Sequence, residues 1–336
     1  MTAKQTMTME DIARLAKVSK PTVSRVLSDS PLVKRETRDR VLSVVKEHGY
    51  AVNRNAQKLR HKRTNTIAVS LDYRSHLPNH ISDPFIYELL AGVSEALAVN
   101  GQDLLLCAPN HNDSDSFRQM LSARTADGFI ILGQGHREEM LGHLAARHTP
   151  LVVWGAPAPD TSYCVIGSDN FLGGLLTGRY FIEKKRRHIL FVGDTSFREI
   201  HLRREGLRRA VAESGTQIEV SDLNCSSFSY DAAYDAAARH LADAAQRPDA
   251  VFAFSDTAAM AFIRALREAG LEAPKDVSIV GYNDLPSAEY FSPPLSTIRQ
   301  DIHQAGRLLV SNLMQMLEGL PARSSTIKTE LIIRET

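Results

Sequence analysis

Near the N-terminus, apolar residues recur at helical spacing in three short stretches, each behind a helix start signal. Thr8 and Asp11 resemble a capping box, and Ser19 with Pro21 marks a second helix directly behind the first. A third helix is predicted over about residues 34–48. The triplets predicted to face the core are Ile12, Leu15 and Ala16, then Val23, Val26 and Leu27, then Val41, Leu42 and Val45. Two short helices joined by about three residues predict a helix-turn-helix.

From residue 64 onward, short apolar runs alternate with helical stretches. The runs predict strands over residues 66–71, 103–107, 129–132, 151–154, 188–192, 250–254 and 277–280. Helices are predicted between them, over residues 85–100, 171–183, 230–245, 257–269 and 301–318. Repeated strand–helix units of this length favour parallel sheets covered by helices on both faces. Roughly 270 residues is large for one such domain, so we expect two lobes.

Charge is distributed unevenly along the 336 residues. Residues 1–63 contain 15 Lys and Arg against 6 Asp and Glu, a net charge of +9, whereas the remainder carries −8. The net charge of the whole chain is only +1. A basic head on an acidic body indicates a polyanionic partner for the head, although a merely solvated basic surface would give the same count.

The cysteines, apolar runs and glycines argue against several other classes. Cys107, Cys164 and Cys225 are too few and too scattered for a disulfide framework or a zinc site. No apolar segment precedes the first helix, and no run of 18 apolar residues occurs. Gly133 and Gly135 lack the third glycine of a dinucleotide fingerprint, so a turn is the better interpretation. We therefore expect a cytoplasmic protein that is not an enzyme and needs neither metal nor cofactor.

The head carries a long, ordered resemblance to one family. Residues 11–27, 49–50 and 53–59 together resemble the headpiece of the LacI/GalR family of bacterial repressors. This resemblance implies an all-α helix-turn-helix headpiece over residues 1–50 that binds double-stranded DNA. It also implies a hinge over residues 51–63, which in this family orders as a helix when two copies pair in the minor groove.

The second helix of the headpiece is expected to enter the major groove with its N-terminal end. The base-reading positions of the family fall on Lys20, Pro21 and Arg25. Lys20 and Arg25 can donate to guanine, while Pro21 can offer an apolar contact, for example to a thymine methyl group. Phosphate contacts suit the hydroxyl side chains Ser19, Thr22 and Ser24.

In the hinge, the family resemblance assigns DNA contacts to Asn53, Ala56 and Leu59. Leu59 matches the residue that the family inserts between base steps to kink the duplex, with ordinary packing within the chain as the alternative. Val52 stands where the family often has proline, which loosens the entry to the hinge. A helix this short and polar is marginal in water by itself.

The resemblance continues over the body, at residues 82–85, 127–128, 167–169, 203–206, 255–256, 280–284 and 293–298. It implies an α/β effector-binding and dimerisation domain over residues 64–336, with the fold of periplasmic sugar-binding proteins. Three crossovers between the lobes are expected, near Cys164, Pro294 and Ala322. The two parallel-sheet lobes would then comprise residues 64–163 with 294–322, and residues 164–293 with 323–336.

The cleft between the lobes is the expected effector site, because ligands of open α/β sheets bind beyond the carboxyl ends of the strands. The resemblance gives Arg203 the role of holding the ligand, since its guanidinium can fork onto two hydroxyls. Asn283 occupies an acceptor position, and Phe228 aligns with an aromatic residue that stacks on the effector. The other residues expected at this site are Phe85, Ile86, Trp154, Ser255, Asp256 and Gln300. Aromatic faces mixed with planar polar groups suit a carbohydrate.

Several of these residues also have ordinary structural explanations. Phe228 fits a place in the core equally well, Arg203 fits a structural salt bridge, and Asp284 fits a structural role. Gly155 stands where many relatives carry a ligand-contacting Asp, which points to a different or larger sugar.

Together these patterns predict a sequence-specific transcriptional repressor of carbohydrate-use genes. It would bind a pseudo-palindromic operator as a homodimer, and a sugar or oligosaccharide inducer would modulate that binding. Within the family, the alternative is a corepressor-type regulator that responds to a nucleobase or another metabolite. Outside the family, a sugar-binding protein of the periplasm would share the fold of the body, but it would need a signal peptide and would lack the basic head.

Overall fold

The structure is a computed structural model that describes residues 7–27, 30–50, 63–71, 83–107, 113–225 and 228–336. The chain divides into two compact units, Met1–Lys62 and Arg63–Thr336. No helix in these described ranges is long and apolar enough to cross a membrane.

The first unit is built from the three predicted helices, α1 (Met9–Leu15), α2 (Lys20–Leu27) and α3 (Arg35–Glu47). The predicted capping box is confirmed, because Thr8 accepts a hydrogen bond from the backbone N–H of Asp11 and donates its own N–H to the Asp11 carboxylate. Lys17, with φ of 52°, turns the chain between α1 and α2. These two helices therefore form the expected helix-turn-helix.

The core of the first unit is small. Ile12, Val23 and Val41 are fully buried where the three helices meet. Leu15 and Leu42, which we expected to face this core, are exposed at 44% and 45%. The expectation was wrong because helices this short bury only the narrow stripe that faces their two neighbours, and both leucines lie at the edge of that stripe.

The second unit contains two sheets with helices around them. Its strands are β1 (Thr66–Leu71), β2 (Asp103–Leu106), β3 (Gly128–Leu132), β4 (Leu151–Trp154), β5 (Cys164–Ser168), β6 (His188–Val192), β7 (Glu219–Leu223), β8 (Ala250–Ala253), β9 (Ser278–Asn283), β10 (Ser296–Arg299), β11 (Ser325–Ile327) and β12 (Glu330–Ile332). Its helices are α4 (Pro84–Val99), α5 (Ser114–Ser122), α6 (Glu138–Ala146), α7 (Asn170–Glu183), α8 (Arg198–Glu213), α9 (Tyr230–Leu241), α10 (Asp256–Glu268), α11 (Pro286–Tyr290) and α12 (Ile302–Leu317), with a short 3-10 helix at Ala244–Gln246.

Each sheet has six strands among the described residues. The first sheet has the order β11-β5-β4-β3-β1-β2, and every pairing in it is parallel. The second has the order β12-β10-β9-β8-β6-β7, and it is parallel except where β12 runs antiparallel to β10. The predicted α/β class with two parallel-sheet lobes is confirmed.

The strands and helices predicted from the pattern are present, with ends shifted by a few residues. Several elements were not predicted: β5, β7, β10, β11, β12, α5, α6, α8 and α11. Three of the missed strands lie at sheet edges, where one side of the backbone has no neighbour and side chains are partly exposed. Such strands lack the continuous apolar run that identifies a buried strand.

The crossovers between lobes lie a few residues further along the chain than expected. β5 pairs with β4, so Cys164–Ser168 belongs to the first sheet and the chain crosses only after it. β10 pairs with β9 in the second sheet, and β11 returns to pair with β5 in the first. The expected bounds were wrong because each strand completes its pairing before the chain leaves the sheet. The first lobe is therefore residues 63–168 with 301–327, and the second is residues 169–300 with 330–336.

Two glycines bring α7 and α8 into close contact in the second lobe. A methyl group at Gly174 would overlap the carbonyl oxygen of Arg203, and one at Gly206 would overlap that of Phe171. The backbones of the two helices therefore touch directly. This contact holds the first turns of α8, including Arg203, against the rest of the lobe.

Candidate functional site

The surface of α2 separates core residues from candidate DNA contacts. Val26 is 4% exposed and Val23 is fully buried, as their apolar character predicts. Lys20, Pro21 and Arg25, the proposed base-reading residues, are all exposed. The side of α2 that points away from the core therefore carries these three side chains.

The hydroxyl residues of α2 make local contacts. Ser19 accepts the backbone N–H of Thr22 at 3.3 Å, and their side-chain hydroxyls lie 2.8 Å apart. Ser19 is exposed, whereas Thr22 and Ser24 are half-buried. Lys20 forms an ion pair with Glu10 at 2.7 Å. Because both partners are exposed, this pair is worth at most about 1 kcal/mol and would be a weak obstacle to a phosphate or a base.

The hinge residues named from the sequence lie outside the described residues. They are Val52, Asn53, Ala56 and Leu59. The roles assigned to them stay predictions.

A cavity of about 90 Å³ lies between the two lobes, beyond the carboxyl ends of the strands. The first lobe contributes Asp83, Phe85, Ile86, Gly133, Gln134 and Gly135. The second contributes Phe197, Glu199, Ile200, Arg203, Phe228, Phe254 and Asn283. Aromatic faces and planar polar groups thus meet in one cleft, as the expected carbohydrate site requires.

Five of the thirteen residues of this wall were expected from the sequence. Phe85, Ile86, Arg203, Phe228 and Asn283 were expected and do line the cavity. Trp154, Ser255, Asp256 and Gln300 were expected there too, but the structure does not bring them to the wall. The cavity residues that the sequence reasoning missed are Asp83, Gly133, Gln134, Gly135, Phe197, Glu199, Ile200 and Phe254. Gln134 lies two residues after the end of β3, a position that made it a candidate for the cleft.

Arg203 is fixed by neutral partners rather than by a salt bridge. Its Nε–H donates to the Asn170 side-chain oxygen at 2.8 Å, and its Nη1 donates to the carbonyl of Phe254. The guanidinium carbon lies 3.5 Å from the centre of the Tyr282 ring, a cation–π contact. Its side chain is therefore held rigidly while it still lines the cavity.

Phe228 belongs to the cavity wall and to an aromatic cluster at once. It packs edge-on against Phe197, with ring centres 5.4 Å apart, and against Phe254, at 5.2 Å. It remains half-buried. The two interpretations of this residue, core and ligand contact, are thus compatible.

Asn283 and Gln300 belong to a buried hydrogen-bond relay between the lobes. Gln300 donates its amide to the Asn283 side-chain oxygen at 2.7 Å and accepts the hydroxyl of Ser168. Ser168 ends β5 in the first lobe, whereas Asn283 ends β9 in the second. Asn283 has a φ of 121°, an uncommon value for a residue with a side chain. The relay therefore links a cavity side chain to the first crossover.

Ser255 and Asp256 serve the fold around them. Ser255 caps α10 by accepting the backbone N–H of Ala258 at 3.2 Å. Asp256 is fully buried, accepts the backbone N–H of Leu285 at 2.7 Å and binds the Thr297 hydroxyl. Burial, opposed by these two hydrogen bonds, raises the pKa of Asp256 to about 8. Neither side chain is available to the cavity.

The presence of glycine at position 155 has a structural explanation in this chain. A methyl group there would stand 2.9 Å from Cβ of Gln134 and closer still to its amide oxygen. Gln134 uses that space to donate to the Tyr163 hydroxyl at 2.8 Å and to accept the N–H of Ala156 at 3.3 Å. Trp154 is buried beside it and packs against Phe85, with ring centres 6.1 Å apart. Gln134 thus places a polar side chain of the first lobe next to Gly155, the position at which we expected many relatives to have Asp.

Asp83 is the acidic group of the first lobe in this cavity. It is 6% exposed and caps α4 by accepting the backbone N–H of Phe85 at 3.1 Å. Burial raises the pKa of Asp83 to about 6, while the hydrogen bond and the positive charge of Arg203 oppose the rise. Arg203 reaches it across the cavity from the other lobe, so the two charges influence each other.

Comparison with known proteins places both units in one family. The family model for bacterial regulatory proteins of the lacI family matches residues 8–53, and that for the periplasmic binding protein-like domain matches residues 179–336. The HTH-type transcriptional regulator CelR of Thermobifida fusca is 31% identical over 344 residues, which cover 100% of both chains. The chain belongs to the LacI family.

Other LacI-family relatives span nearly the whole chain. The HTH-type transcriptional repressor PurR of Photobacterium profundum is 30% identical over 98% of both chains. The solved complex of the regulator CelR with cellobiose is 30% identical, with a TM-score of 0.69 over 98% of this chain and 99% of that one. The lac repressor dimer bound to operator and the anti-inducer ONPF shares the fold, with a TM-score of 0.84 over 99% of both chains and 23% identity.

Membership of the LacI family makes this chain a DNA-binding transcriptional regulator. The members of the family are transcription regulators rather than enzymes. The family resemblance, the fold class and the functional class predicted from the sequence are therefore confirmed.

Proposed function

We propose that this LacI-family regulator represses carbohydrate-use genes and that a sugar or oligosaccharide in the cleft weakens its binding to the operator. The observation that carries the proposal is the cavity wall, which combines the aromatic Phe85, Phe197 and Phe228 with the polar Arg203 and Asn283. Aromatic faces suit the C–H surfaces of a sugar ring, and planar polar groups suit its hydroxyls. The likeness to CelR, which has been solved with cellobiose, supports the same ligand class.

The headpiece is assigned to the operator. Lys20, Pro21 and Arg25 read bases in the major groove, and Ser19, Thr22 and Ser24 contact phosphates. The exposure of Ser19, Lys20, Pro21 and Arg25 on or beside α2 supports this assignment, while Thr22 and Ser24 are half-buried. In the hinge, Asn53, Ala56 and Leu59 contact the minor groove, and Leu59 acts as a wedge between base steps.

We place this regulator in the cytoplasm, where operator DNA lies, and we expect no catalytic activity from it. A homodimer is proposed because a headpiece of this size offers few contacts by itself and a pseudo-palindromic operator requires two of them. Sedimentation with and without operator DNA tests the dimer. A stable monomer at micromolar concentration in both conditions would rule it out.

A nucleobase corepressor is the second candidate, favoured by 30% identity to PurR over almost the whole chain. In that case the ligand would strengthen operator binding instead of weakening it. The two candidates thus predict opposite signs for one measurement.

Fluorescence anisotropy of the full-length protein on a labelled pseudo-palindromic duplex separates them. We expect a neutral sugar such as glucose, maltose or cellobiose to raise the Kd for the duplex by about 5- to 150-fold, the usual range of coupling between two sites. Adenine or guanine should leave the Kd unchanged. Tighter binding with a nucleobase, or no response to any sugar, would overturn the proposed inducer.

A further inference from the structure

A carboxylate holds the chain where it enters the first lobe. Both oxygens of Asp127 accept the backbone N–H of Thr64, at 2.7 and 2.9 Å, and one of them accepts the N–H of Asn65 at 2.7 Å. The hydroxyl of Thr64 donates to the same carboxylate at 2.9 Å. Hydrogen bonds to an ionised acceptor are about twice as strong as neutral ones. Residues 64–65 are therefore fixed to the lobe at the start of β1.

The residue before them is held by a helix end. Arg63 donates through Nη2 to the carbonyl oxygen of Leu317, the last residue of α12. The last carbonyls of a helix have no partner within it and attract cations. α12 begins at Ile302, just behind β10, where the chain passes from the second lobe to the first. The contact point of Arg63 thus belongs to a helix whose other end lies at a crossover between the lobes.

The second lobe has the same carboxylate arrangement behind a different segment. Asp249 accepts the backbone N–H of Arg187 at 2.7 Å and that of His188 at 2.9 Å. Asp127 directly precedes β3 and Asp249 directly precedes β8, and each of these strands pairs with the first strand of its own lobe. The segment that Asp249 holds follows α7 of the same lobe. The segment that Asp127 holds follows the unit Met1–Lys62, which contains the helix-turn-helix.

The rigidity of this entry point matters for any coupling between sugar and operator. A few residues with free φ and ψ can absorb the movement of a whole domain, which is how hinges between domains work. If residues 63–65 had that freedom, a rearrangement of the lobes would end in them. The bonds from Asp127 and to Leu317 remove it.

We propose that Asp127, assisted by Arg63, is a positioning residue that couples the effector lobes to the DNA-binding unit. It makes residues 63–65 move with the first lobe, so that a rearrangement favoured by the sugar reaches the chain that comes from the helix-turn-helix. Asp127 is outside the cavity wall, so it acts without touching the sugar. This inference rests on the proposed function, because it concerns how the sugar changes operator affinity.

The test measures the Kd of the full-length protein for a labelled pseudo-palindromic duplex, by fluorescence anisotropy, without sugar and with saturating sugar. Glucose, maltose and cellobiose are the sugars tried. The ratio of the two Kd values is the coupling between the sites, and we expect about 5- to 150-fold for the unmodified chain. This coupling ratio is the quantity compared among variants.

Asp127→Asn keeps the shape of the side chain but replaces one oxygen by an amide group, which cannot accept an N–H. We expect the coupling ratio to fall at least about threefold, because the entry point becomes free to absorb movement. The affinity for the sugar itself, measured by calorimetric titration without DNA, should stay within about twofold of that of the unmodified chain.

The matched control is Asp249→Asn, which makes the same atom change in the second lobe. Both variants lose charge-assisted bonds at the start of a strand, so both should lower the melting temperature. Asp249→Asn should leave the coupling ratio unchanged. Arg63→Ala, at an exposed position, should lower the ratio as Asp127→Asn does, since any loss of DNA affinity from the missing charge affects both Kd values alike and cancels.

The outcomes separate this inference from the proposed function. If no sugar shifts the Kd of the unmodified chain, the proposed function fails and this inference fails with it. If a sugar shifts it but Asp127→Asn keeps the full ratio, or Asp249→Asn lowers the ratio equally, only the role of Asp127 is overturned. A sugar affinity that falls in Asp127→Asn as much as the ratio does would overturn it too. Should Asp127→Asn not fold, Arg63→Ala decides, and an unchanged ratio there contradicts the proposal.

Discussion

Two features of Asp83, its role as a helix cap and its burial, favour opposite protonation states of the same carboxyl group. As a cap it favours the charged form, because a carboxylate accepts strongly from the free N–H groups at a helix start. As a buried group beside Phe85 and Ile86 it favours the neutral form. Burial outweighs the cap and raises the pKa of the carboxyl to about 6. A group with a raised folded-state pKa stabilises the fold at low pH and loses that contribution as the pH rises through this value.

We therefore expect the melting temperature to fall between about pH 4 and pH 6, partly because Asp83 keeps its proton to a higher pH in the folded chain than in the unfolded chain. The contribution is at most about 3 kcal/mol, from a pKa that rises from 3.8 to about 6. Asp83→Asn should flatten this part of the profile, measured by differential scanning calorimetry. The decline through about pH 8 should remain, because burial also raises the pKa of Asp256 to about 8.

The profile depends on the charged groups that face Asp83, namely Arg203 and Glu199 on α8 and Asp256 on α10. Asp301→Asn, at the exposed cap of α12, is the control and should leave the slope between about pH 4 and pH 6 intact. An unchanged slope in Asp83→Asn would show that Asp83 keeps an ordinary pKa in the folded chain.

Arg203 differs from its neighbour Arg204 in what surrounds it. Arg203 lines the cavity and bonds to Asn170 and Phe254, whereas Arg204 bonds to Asp222 through Nε at 2.7 Å and lies outside the cavity wall. The ammonium group of a lysine cannot replace a planar guanidinium that donates in two directions and stacks on an aromatic ring. The two arginines therefore form a natural pair for substitution.

Arg203→Lys should lower the melting temperature and require at least about tenfold more sugar for release from the operator. Arg204→Lys should respond to sugar normally. Anisotropy titrations at several sugar concentrations measure the response, and calorimetry measures stability. Normal release by Arg203→Lys would show that the guanidinium does not hold the effector.

At the scale of elements, the contact between α7 and α8 positions the cavity wall of the second lobe. Gly174 and Gly206 let the two backbones touch, and Arg203 lies one turn before Gly206 on α8. A side chain at either glycine would separate the helices. The effector site therefore depends on two residues that have no contact with the cavity.

Gly206→Ala should lower the free energy of unfolding by about 1–3 kcal/mol, because its methyl group would meet the carbonyl of Phe171. Gly142→Ala is the matched control in the middle of α6, where the nearest atom to a new Cβ would be the Ser162 hydroxyl oxygen at 3.4 Å. That substitution should raise the free energy of unfolding by roughly 0.5–1 kcal/mol, since alanine favours a helix. Urea titrations measure both, and equal effects at the two sites would contradict the packing argument.

At the scale of the whole molecule, the proposed base-reading residues and the proposed effector cavity belong to different units of the chain. The sugar can act on the operator only through its different affinities for two arrangements of the protein. The lobes meet at three crossovers, and a buried relay through Gln300 joins Ser168 to Asn283 beside the first two of them. In the proposed dimer, a change in the relation of the lobes is the route by which the sugar would act on the operator.

Arg25→Ala should weaken operator binding by about 1–3 kcal/mol per half-site and relax the preference at one base position. Binding to unrelated DNA should weaken much less, because it depends on phosphate contacts. Arg209→Ala, which removes an exposed charge on α8 in the other unit, is the control. Competition assays with single-base operator variants measure the preference, and an unaltered preference would remove Arg25 from the base-reading set.

The features that depend on local chemistry and regular spacing could be predicted from the amino-acid sequence. The capping box at Thr8 and the apolar triplets specify a helix-turn-helix, and the central strands are mostly apolar because both faces of a parallel sheet are buried. The resemblance of Arg203 to a ligand-holding motif also needed no coordinates, because the motif is contiguous in the chain.

Which side chains at the strand ends face the cavity could not be predicted before the fold was known. Gln134 follows β3 as Ser255 follows β8, yet Gln134 lines the cavity while Ser255 caps α10. The carboxylate of the next residue, Asp256, accepts hydrogen bonds from Thr297 and Leu285, which are distant from it in the sequence. The direction of such a side chain is set by hydrogen-bond partners that the fold brings together, and local sequence contains no record of them.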